Sequence, residues 1–223
     1  MTLSVTATPR RIGVFGGAFD PPHAAHRALA MLALAHLTLD ELRVFPTGDA
    51  WHKARGLSAA HHRLAMAQLA FVGVPGISVD EREIRRSGPT YTVDTLAGLQ
   101  VENPGATLYL IIGADQARAL GQWHRWRDLL RIAIICVAGR GPATGESGNL
   151  NPQNVPESLQ DALLDMLPDE VRAAGRFLPL PLAPMDVSAT TIRERVAAGL
   201  GIADLVTPSV ARYIAQNHLY LPL

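Results

Sequence analysis

His23 and His26 stand three residues apart, and the stretch before them reads Gly16, Gly17, Ala18, Phe19, Asp20, Pro21, Pro22. On a helix that spacing puts both imidazoles on one face, where two donors can contact one polyphosphate from the same side. Paired glycines let the backbone come close to a ligand, and a following helix offers unpaired N–H groups and a partial positive charge to a phosphate. Pro22 suits the first turn of that helix, where its missing N–H costs nothing. When an α-phosphorus is attacked in line, charge grows on its non-bridging oxygens and on the departing pyrophosphate. Fixed imidazole donors stabilise that charge, and no covalent nucleophile is required. The same pair is compatible with a solvated helix face or a zinc half-site. Zinc needs further ligands, for which His52, His61 and His62 are candidates. His61 and His62 are adjacent on a predicted helix and so should point apart, and no protein-bound metal is expected.

Three later clusters carry related chemistry. Thr90, Tyr91, Thr92, Val93, Asp94, Thr95, Leu96 reads as a helix start, with Thr90 or Thr92 able to serve as N-cap. Ile111, Ile112, Gly113, Ala114, Asp115 is followed by Leu120, Trp123, Trp126, Leu129 and Leu130. There Gly113 ends a buried strand and frees space for a nucleotide, Asp115 can accept hydrogen bonds from ribose hydroxyls, and an indole can stack on a ligand ring. Tryptophans near a strand end are also ordinary core, and Trp126 is read that way. In Val187, Ser188, Ala189, Thr190, Thr191, Ile192, Arg193, Ser188 can cap a helix while exposed amides and Arg193 hold phosphate oxygens. Taken alone, this last cluster reads equally well as a capped helix with a surface arginine.

These clusters must sit at the ends of regular elements. The β-rich segments Arg11 to Gly16, Glu41 to Pro46, Thr107 to Gly113 and Ile132 to Ala138 alternate with alanine- and leucine-rich stretches of helical spacing, the first continuing through Leu37. The alternation predicts an α/β fold, a Rossmann-like doubly wound, mainly parallel sheet of about five or six strands with helices on both faces. Leu108 to Ile112 and Ile132 to Val137 are apolar on both alternating faces, as central strands covered from both sides should be. Such sheets bind ligands beyond their strand carboxyl ends. A helix around Glu157 to Leu167, an apolar segment Phe177 to Leu182, and helices after Val187 and Pro208 complete the layout. The Pro-rich run Pro179 to Pro184 weakens the reading of that last apolar segment as a strand. Residues 1–223 are read as a single domain, with 1–10 flexible and 140–156 a surface loop of Gly, Pro, Asn and Ser.

With 223 residues, 48% of them apolar, the chain can bury one substantial core. Its 20 basic and 20 acidic residues cancel, which disfavours nucleic acid as a partner and leaves room for a local phosphate pocket. The single cysteine, Cys136, lies in an apolar run and forms no intrachain disulfide, pointing to a reducing compartment. No secretory signal opens the chain, and its longest apolar helix is interrupted by His26, Arg27 and His36, so no membrane span and a cytoplasmic location are expected. A homo-oligomer is compatible with all of this.

The first cluster, Gly-Gly-Ala-Phe-Asp-Pro-Pro-His-Ala-Ala-His, is similar to the G-G-x-F-D-P-x-H-x-G-H signature of bacterial nicotinate-nucleotide adenylyltransferases of the HxGH nucleotidyltransferase superfamily, with Ala25 in place of the glycine. Relatives acting on pantetheine phosphate or choline phosphate share a motif of this kind, so the histidines indicate a reaction class and the later motifs the substrate. Thr90–Leu96 resembles S-Y-T-x-x-T-L, Ile111–Trp123 resembles I-I-G-x-D followed by L-x-x-W, and Val187–Arg193 resembles I-S-S-T-x-I-R. Pro46–Arg55 is a weaker match, Ala50-Trp51-His52-Lys53 standing for Pro-Pro-His-Lys. The resemblance runs from Ile12 to Tyr220 and implies transfer of an adenylyl group from ATP, with Mg²⁺, to nicotinate mononucleotide. It implies His23 and His26 as catalytic, and Gly16, Gly17, Ala18, Phe19, Lys53, Ser188, Thr190 and Arg193 on ATP. It also implies Tyr91, Thr92, Gly113, Asp115 and Trp123 on the mononucleotide, with Trp123 stacking and the amides near Tyr91 and Thr92 receiving the carboxylate. The alternatives are nicotinamide mononucleotide or pantetheine phosphate as acceptor, or a nucleotide-binding module without catalysis.

Overall fold

Central strands in this chain are apolar on both faces because helices cover both. A computed structural model describes residues 8–48, 56–140, 165, 167–183 and 185–222. Strands β1 (Arg11–Gly17), β2 (Glu41–Pro46), β3 (Ile77–Val79), β4 (Thr107–Gly113), β5 (Ala133–Arg140) and β6 (Phe177–Leu182) form one six-stranded sheet in the order β3-β2-β1-β4-β5-β6. Every pairing is parallel. The helices are α1 (Ala24–His36), α2 (Ala60–Phe71), α3 (Arg82–Arg85), α4 (Thr92–Glu102), α5 (Ala114–Arg118), α6 (Trp126–Ile132), α7 (Asp169–Arg172), α8 (Ala189–Ala197) and α9 (Pro208–Gln216). The architecture is the expected Rossmann-like doubly wound α/β fold.

Strand residues alternate between two cores, as a period of two requires. Phe15, Leu42, Val44, Tyr109, Ile111 and Cys136 pack with residues of α1, α2, α8 and α9. Ile12, Val14, Phe45, Leu108, Leu110, Ile112, Ile135 and Val137 pack with α4, α5, α6 and α7 on the other face. Strand order reverses between β1 and β4, so the chain leaves the carboxyl ends of these neighbours toward opposite faces and opens a crevice there.

Local departures from the expected elements have local causes. The chain adds β3, a three-residue edge strand too short to display a period, after a turn in which Gly76 has φ 77°. Ile132 is the last residue of α6, and β5 begins at Ala133 and runs two residues past Ala138. β6 forms despite its prolines. Ile135 donates its N–H to the carbonyl of Arg176 at 2.9 Å, which turns even-numbered β6 residues toward β5 and odd-numbered ones outward. Pro179 and Pro181 therefore meet the open edge, where a missing donor leaves no ladder bond unmade and gives a stray strand fewer groups to pair with. Arg10 donates to Glu41 at 2.9 Å, and its carbonyl accepts from Thr107 at 2.8 Å, just ahead of β1. The surface loop expected at 140–156 lies, beyond Arg140, outside the described residues, as does most of the helix expected at Glu157–Leu167. Among the described residues no helix is long and apolar enough to cross a membrane.

Candidate active site

The site is built from the carboxyl end of β1 upward. Gly16 has open space where a Cβ would stand, whereas at Gly17 a Cβ would lie 3.0 Å from the ring of Phe19. Phe19 takes φ 49°, a left-handed backbone uncommon for a bulky residue, and its ring is 1% exposed, edge-on to Phe15, His26 and Phe71. Burial of that ring offsets the local strain, and it leaves only the Phe19 backbone to border a ligand.

Four residues later His23 opens α1. His23, with φ −139°, is the N-cap and His26 is the third helical residue, so Pro22 lies before the helix and not in its first turn as the sequence suggested. The backbone N–H of His23 donates to Nδ1 of His26 at 3.2 Å, and the two rings stack at 3.7 Å. Accepting at Nδ1 leaves the proton of a neutral His26 ring on Nε2, which makes that nitrogen a donor. Nδ1 of His23 is buried without a partner, and burial pushes its pKa down to about 4, so His23 is neutral at physiological pH. Ala25 occupies a regular helical position that needs no glycine backbone.

Helix α8 supplies the facing wall. Ser188 caps it by accepting the N–H of Thr191 at 3.0 Å, and its hydroxyl lies 2.8 Å from that of Thr191. Arg193 donates to the backbone carbonyl of Asp20 at 2.8 Å and to Thr190 Oγ1 at 3.0 Å. A cleft of about 370 Å³ is lined by Ala18, Phe19, Asp20, His23, His26, Leu57, Ala189, Thr190 and Arg193. It joins the two ends of the chain into one surface rich in N–H donors, suited to the oxygens of a polyphosphate. Gly16, Gly17 and Ser188 are not among the lining residues, though Gly17 and Ser188 each adjoin one in sequence. Lys53, Trp51 and His52 lie outside the described residues.

Two residues that hold this wall carried no assigned role in the sequence. Asp20, 3% exposed, accepts the N–H of Ser58 at 3.2 Å and the hydroxyl of Tyr220 at 2.7 Å through its carboxylate. Arg63, 2% exposed, donates to four carbonyls, those of Ala18 (3.2 Å), Thr47 (2.5 Å), Gly48 (3.1 Å) and Ser58 (3.0 Å). It thereby ties the β1 loop to the end of β2 and the entry of α2. Its signal was present: Arg63, Met66, Ala67, Ala70 and Phe71 share the buried stripe of α2, and a charge on such a stripe asks for partners.

The other motif residues gather on the far side of the switch point. Gly113 ends β4 and caps α5, with nothing within 4 Å of where its Cβ would stand. The side chain of Asp115 is 93% exposed and pairs with Arg118 at 2.6 Å. Trp123 is half-buried, while Trp126 is core. The ring of Tyr91 stacks on His124 at 4.0 Å. The N-cap of α4 is Tyr91, without a side-chain cap bond; Thr92 is the first helical residue, and Thr90 Oγ1 is buried without a partner. Neither threonine caps the helix, so capping does not account for this motif. None of Tyr91, Thr92, Gly113, Asp115 and Trp123 lines the 370 Å³ cleft.

Among the described residues no group of three or more His, Cys, Asp or Glu is placed to hold a metal ion. The expectation that His61 and His62 point apart is corrected: their ring centroids lie 4.0 Å from one another, and Nδ1 of His62 is 3.0 Å from the Tyr213 hydroxyl of α9, a contact that holds its ring to one side. Cys136 is buried, with its thiol pushed up to about 12 by desolvation, as a small core residue should be.

Residues 14–195 match the model of the cytidylyltransferase-like family. The chain is 53% identical over 211 residues to a probable nicotinate-nucleotide adenylyltransferase of Albidiferax ferrireducens, covering 95% of this chain and 98% of the relative. A second relative of that name, from Methylibium petroleiphilum, is 44% identical, with 98% and 96% covered. In structure it is similar to a Plasmodium falciparum nicotinic acid mononucleotide adenylyltransferase complexed with NaAD, at TM-score 0.70 and 19% identity over 95% of this chain and 97% of that one. That likeness is one of fold.

Proposed function

From the premise that this chain belongs to the cytidylyltransferase-like family, and is closely similar along nearly its whole length to nicotinate-nucleotide adenylyltransferases, we propose that it transfers the adenylyl group of ATP to nicotinate mononucleotide in NAD synthesis. The observation that carries the chemistry is the cleft that sets His23, His26, Thr190 and Arg193 around one volume at the end of β1. The mononucleotide phosphate attacks the α-phosphorus of ATP in line. A new P–O bond forms as the bond to the bridging oxygen of the β-phosphate breaks, and pyrophosphate leaves with that electron pair.

A phosphate monoester is already anionic near neutral pH, so no general base is assigned. His23 and His26, the former held neutral by burial, act as hydrogen-bond donors to the α-phosphate oxygens and stabilise the charge that develops there. Arg193 and the amides at the start of α8 receive the β- and γ-phosphates, while Gly16, Gly17, Ala18 and the Phe19 backbone let ATP lie close to the loop. Lys53 is assigned to the phosphates by resemblance alone. Mg²⁺ enters as part of the ATP substrate. The donor set fits this, since among the described residues the cleft is lined by two imidazoles and a guanidinium, with Asp20 as the one carboxylate, which already accepts bonds from Tyr220 and Ser58.

Across the switch point, the amides of Tyr91 and Thr92 receive the nicotinate carboxylate, Trp123 stacks on its ring, Gly113 admits the nucleotide and Asp115 takes ribose hydroxyls. Support comes from the open space at Gly113 and from threonines that do not cap their helix. The test is pyrophosphate release from ATP and Mg²⁺ with nicotinate mononucleotide, nicotinamide mononucleotide or pantetheine phosphate in parallel. Fastest release with the first is expected. Faster release with either of the others reassigns the acceptor, and ATP binding without release under all three overturns transfer.

A further inference from the structure

The end of the chain reaches back to its first loop. After α9, His218 (φ 51°) and Tyr220 (φ 65°) both occupy the left-handed region, which a non-glycine residue holds only where other contacts stabilise it. Leu219 donates its N–H to the carbonyl of Ile214 at 3.1 Å, turning the tail back along the helix. The contact this delivers is on Asp20: the Tyr220 hydroxyl donates to Oδ1 at 2.7 Å, across 200 positions of sequence, and also lies 3.8 Å from Sδ of Met66. Backbone outliers that persist in a folded chain are a reason to ask what they position.

Asp20 is the residue through which the phosphate wall is assembled. Its carboxylate accepts from Tyr220 and from the N–H of Ser58, and its backbone carbonyl accepts from Arg193. Both Arg193 and His23, three residues beyond Asp20, line the cleft. A shift of Asp20 therefore displaces donors on both walls together. Burial and the neighbouring Asp20 push the Tyr220 phenol well above its ordinary value, so it remains a donor throughout the working range.

We propose that Tyr220 is a positioning residue for ATP: its hydroxyl fixes Asp20, and through Asp20 the loop that leads to His23 and anchors Arg193. The hydroxyl does not touch the reacting atoms. It holds in place the groups that do, and the phosphate site is complete only when the tail has docked. This rests on ATP being bound in the cleft and is independent of the acceptor.

The experiment is calorimetric titration of the full chain with Mg²⁺ and ATP, without acceptor, for wild type, Tyr220→Phe, Asp20→Asn, the double variant, and Leu221→Ala as an exposed control from the same tail. Losing a hydrogen bond to a carboxylate in a preorganised loop is expected to weaken ATP binding about tenfold in Tyr220→Phe, while the melting temperature stays within a few degrees. In the Asp20→Asn background the same change should cost less than about twofold, because the partner it acts through is already altered. Leu221→Ala should bind as wild type does. A residue that merely packs the tail would lower the melting temperature and leave ATP affinity alone, or lose the same factor in both backgrounds, and either result overturns the proposal. A wild type that binds ATP but adenylylates no acceptor would sink the proposed function and leave this one standing, whereas a wild type that binds no ATP overturns both.

Discussion

The two flanks of the crevice differ in how much of each is already held. On the β1 side, Asp20, Arg63, Arg193 and the His23–His26 pair are fixed by hydrogen bonds from four separate parts of the chain. On the β4 side, Asp115 stands in solvent with a partner from its own helix, and Tyr91 meets His124 of the same flank in a ring stack at 4.0 Å. The first flank would stabilise transition-state charge, which demands donors fixed before the reaction. The second would recognise a ring and a carboxylate, and can take its final shape around them. Preorganisation is concentrated where charge develops.

The contrast can be broken most directly at His23. Replacing it with Ala should lower kcat by about 10²- to 10³-fold, the range for loss of one donor to developing charge, with the melting temperature nearly unchanged. Steady-state rates with both substrates saturating check this, and full turnover would remove His23 from the chemistry. The next effect is at Arg63. Lysine keeps the charge but cannot reach four carbonyls at once, so Arg63→Lys should destabilise the fold by about 2–4 kcal/mol and raise the KM for ATP more than that for the acceptor. Thermal unfolding and KM values for both substrates test it; equal rises in both KM values would mean that the β1 flank is not separately organised.

On the looser flank the effects should be smaller and confined to the acceptor. Trp123→Ala should raise the acceptor KM about tenfold through lost stacking and buried area, with the KM for ATP within about twofold of wild type; a larger change for ATP would show the flanks to be one unit. The smallest effect concerns Glu83, 6% exposed beneath the start of α4, which accepts from Thr95 Oγ1 at 2.7 Å. Burial pushes its carboxyl up to about 7 from 4.5. Because the folded value lies above the unfolded one, the stability linked to this proton is complete below about 4.5 and is lost as pH rises through about 7. The melting temperature of wild type minus that of Glu83→Gln should therefore fall by a few degrees across that window, and a flat difference would mean that the carboxyl titrates normally. His23 titrates in the opposite sense, so only the difference between the two proteins isolates Glu83.

Much of the architecture was legible because it rests on local periodicity. Apolar runs such as Leu108 to Ile112 display both faces of a covered strand, and Ser188 caps its helix as the sequence led one to expect. Glu41–Pro46 and Thr107–Gly113 are strands with the expected bounds. The last strand was obscured by prolines whose harmlessness depends on which side of the ladder they face, a property of register and not of composition. β3 was missed because three residues carry no period. Arg63 was legible in principle, as a charge on an apolar stripe, but its four acceptors lie in three separate segments.

By itself the sequence determined the alternation of strands and helices, the turn from β1 into the histidine-bearing helix, and the residue types able to meet phosphates, because each of these depends on neighbours within a few positions. Tertiary structure alone decided that Thr190 and Arg193 close the same cleft as His23, that Phe19 turns its ring into the core while its backbone takes a left-handed turn, and that Tyr220 reaches Asp20. Those contacts join residues up to 200 positions apart. They follow from the order in which six strands pair, and strand order is set by the packing of both faces at once, which no local pattern encodes.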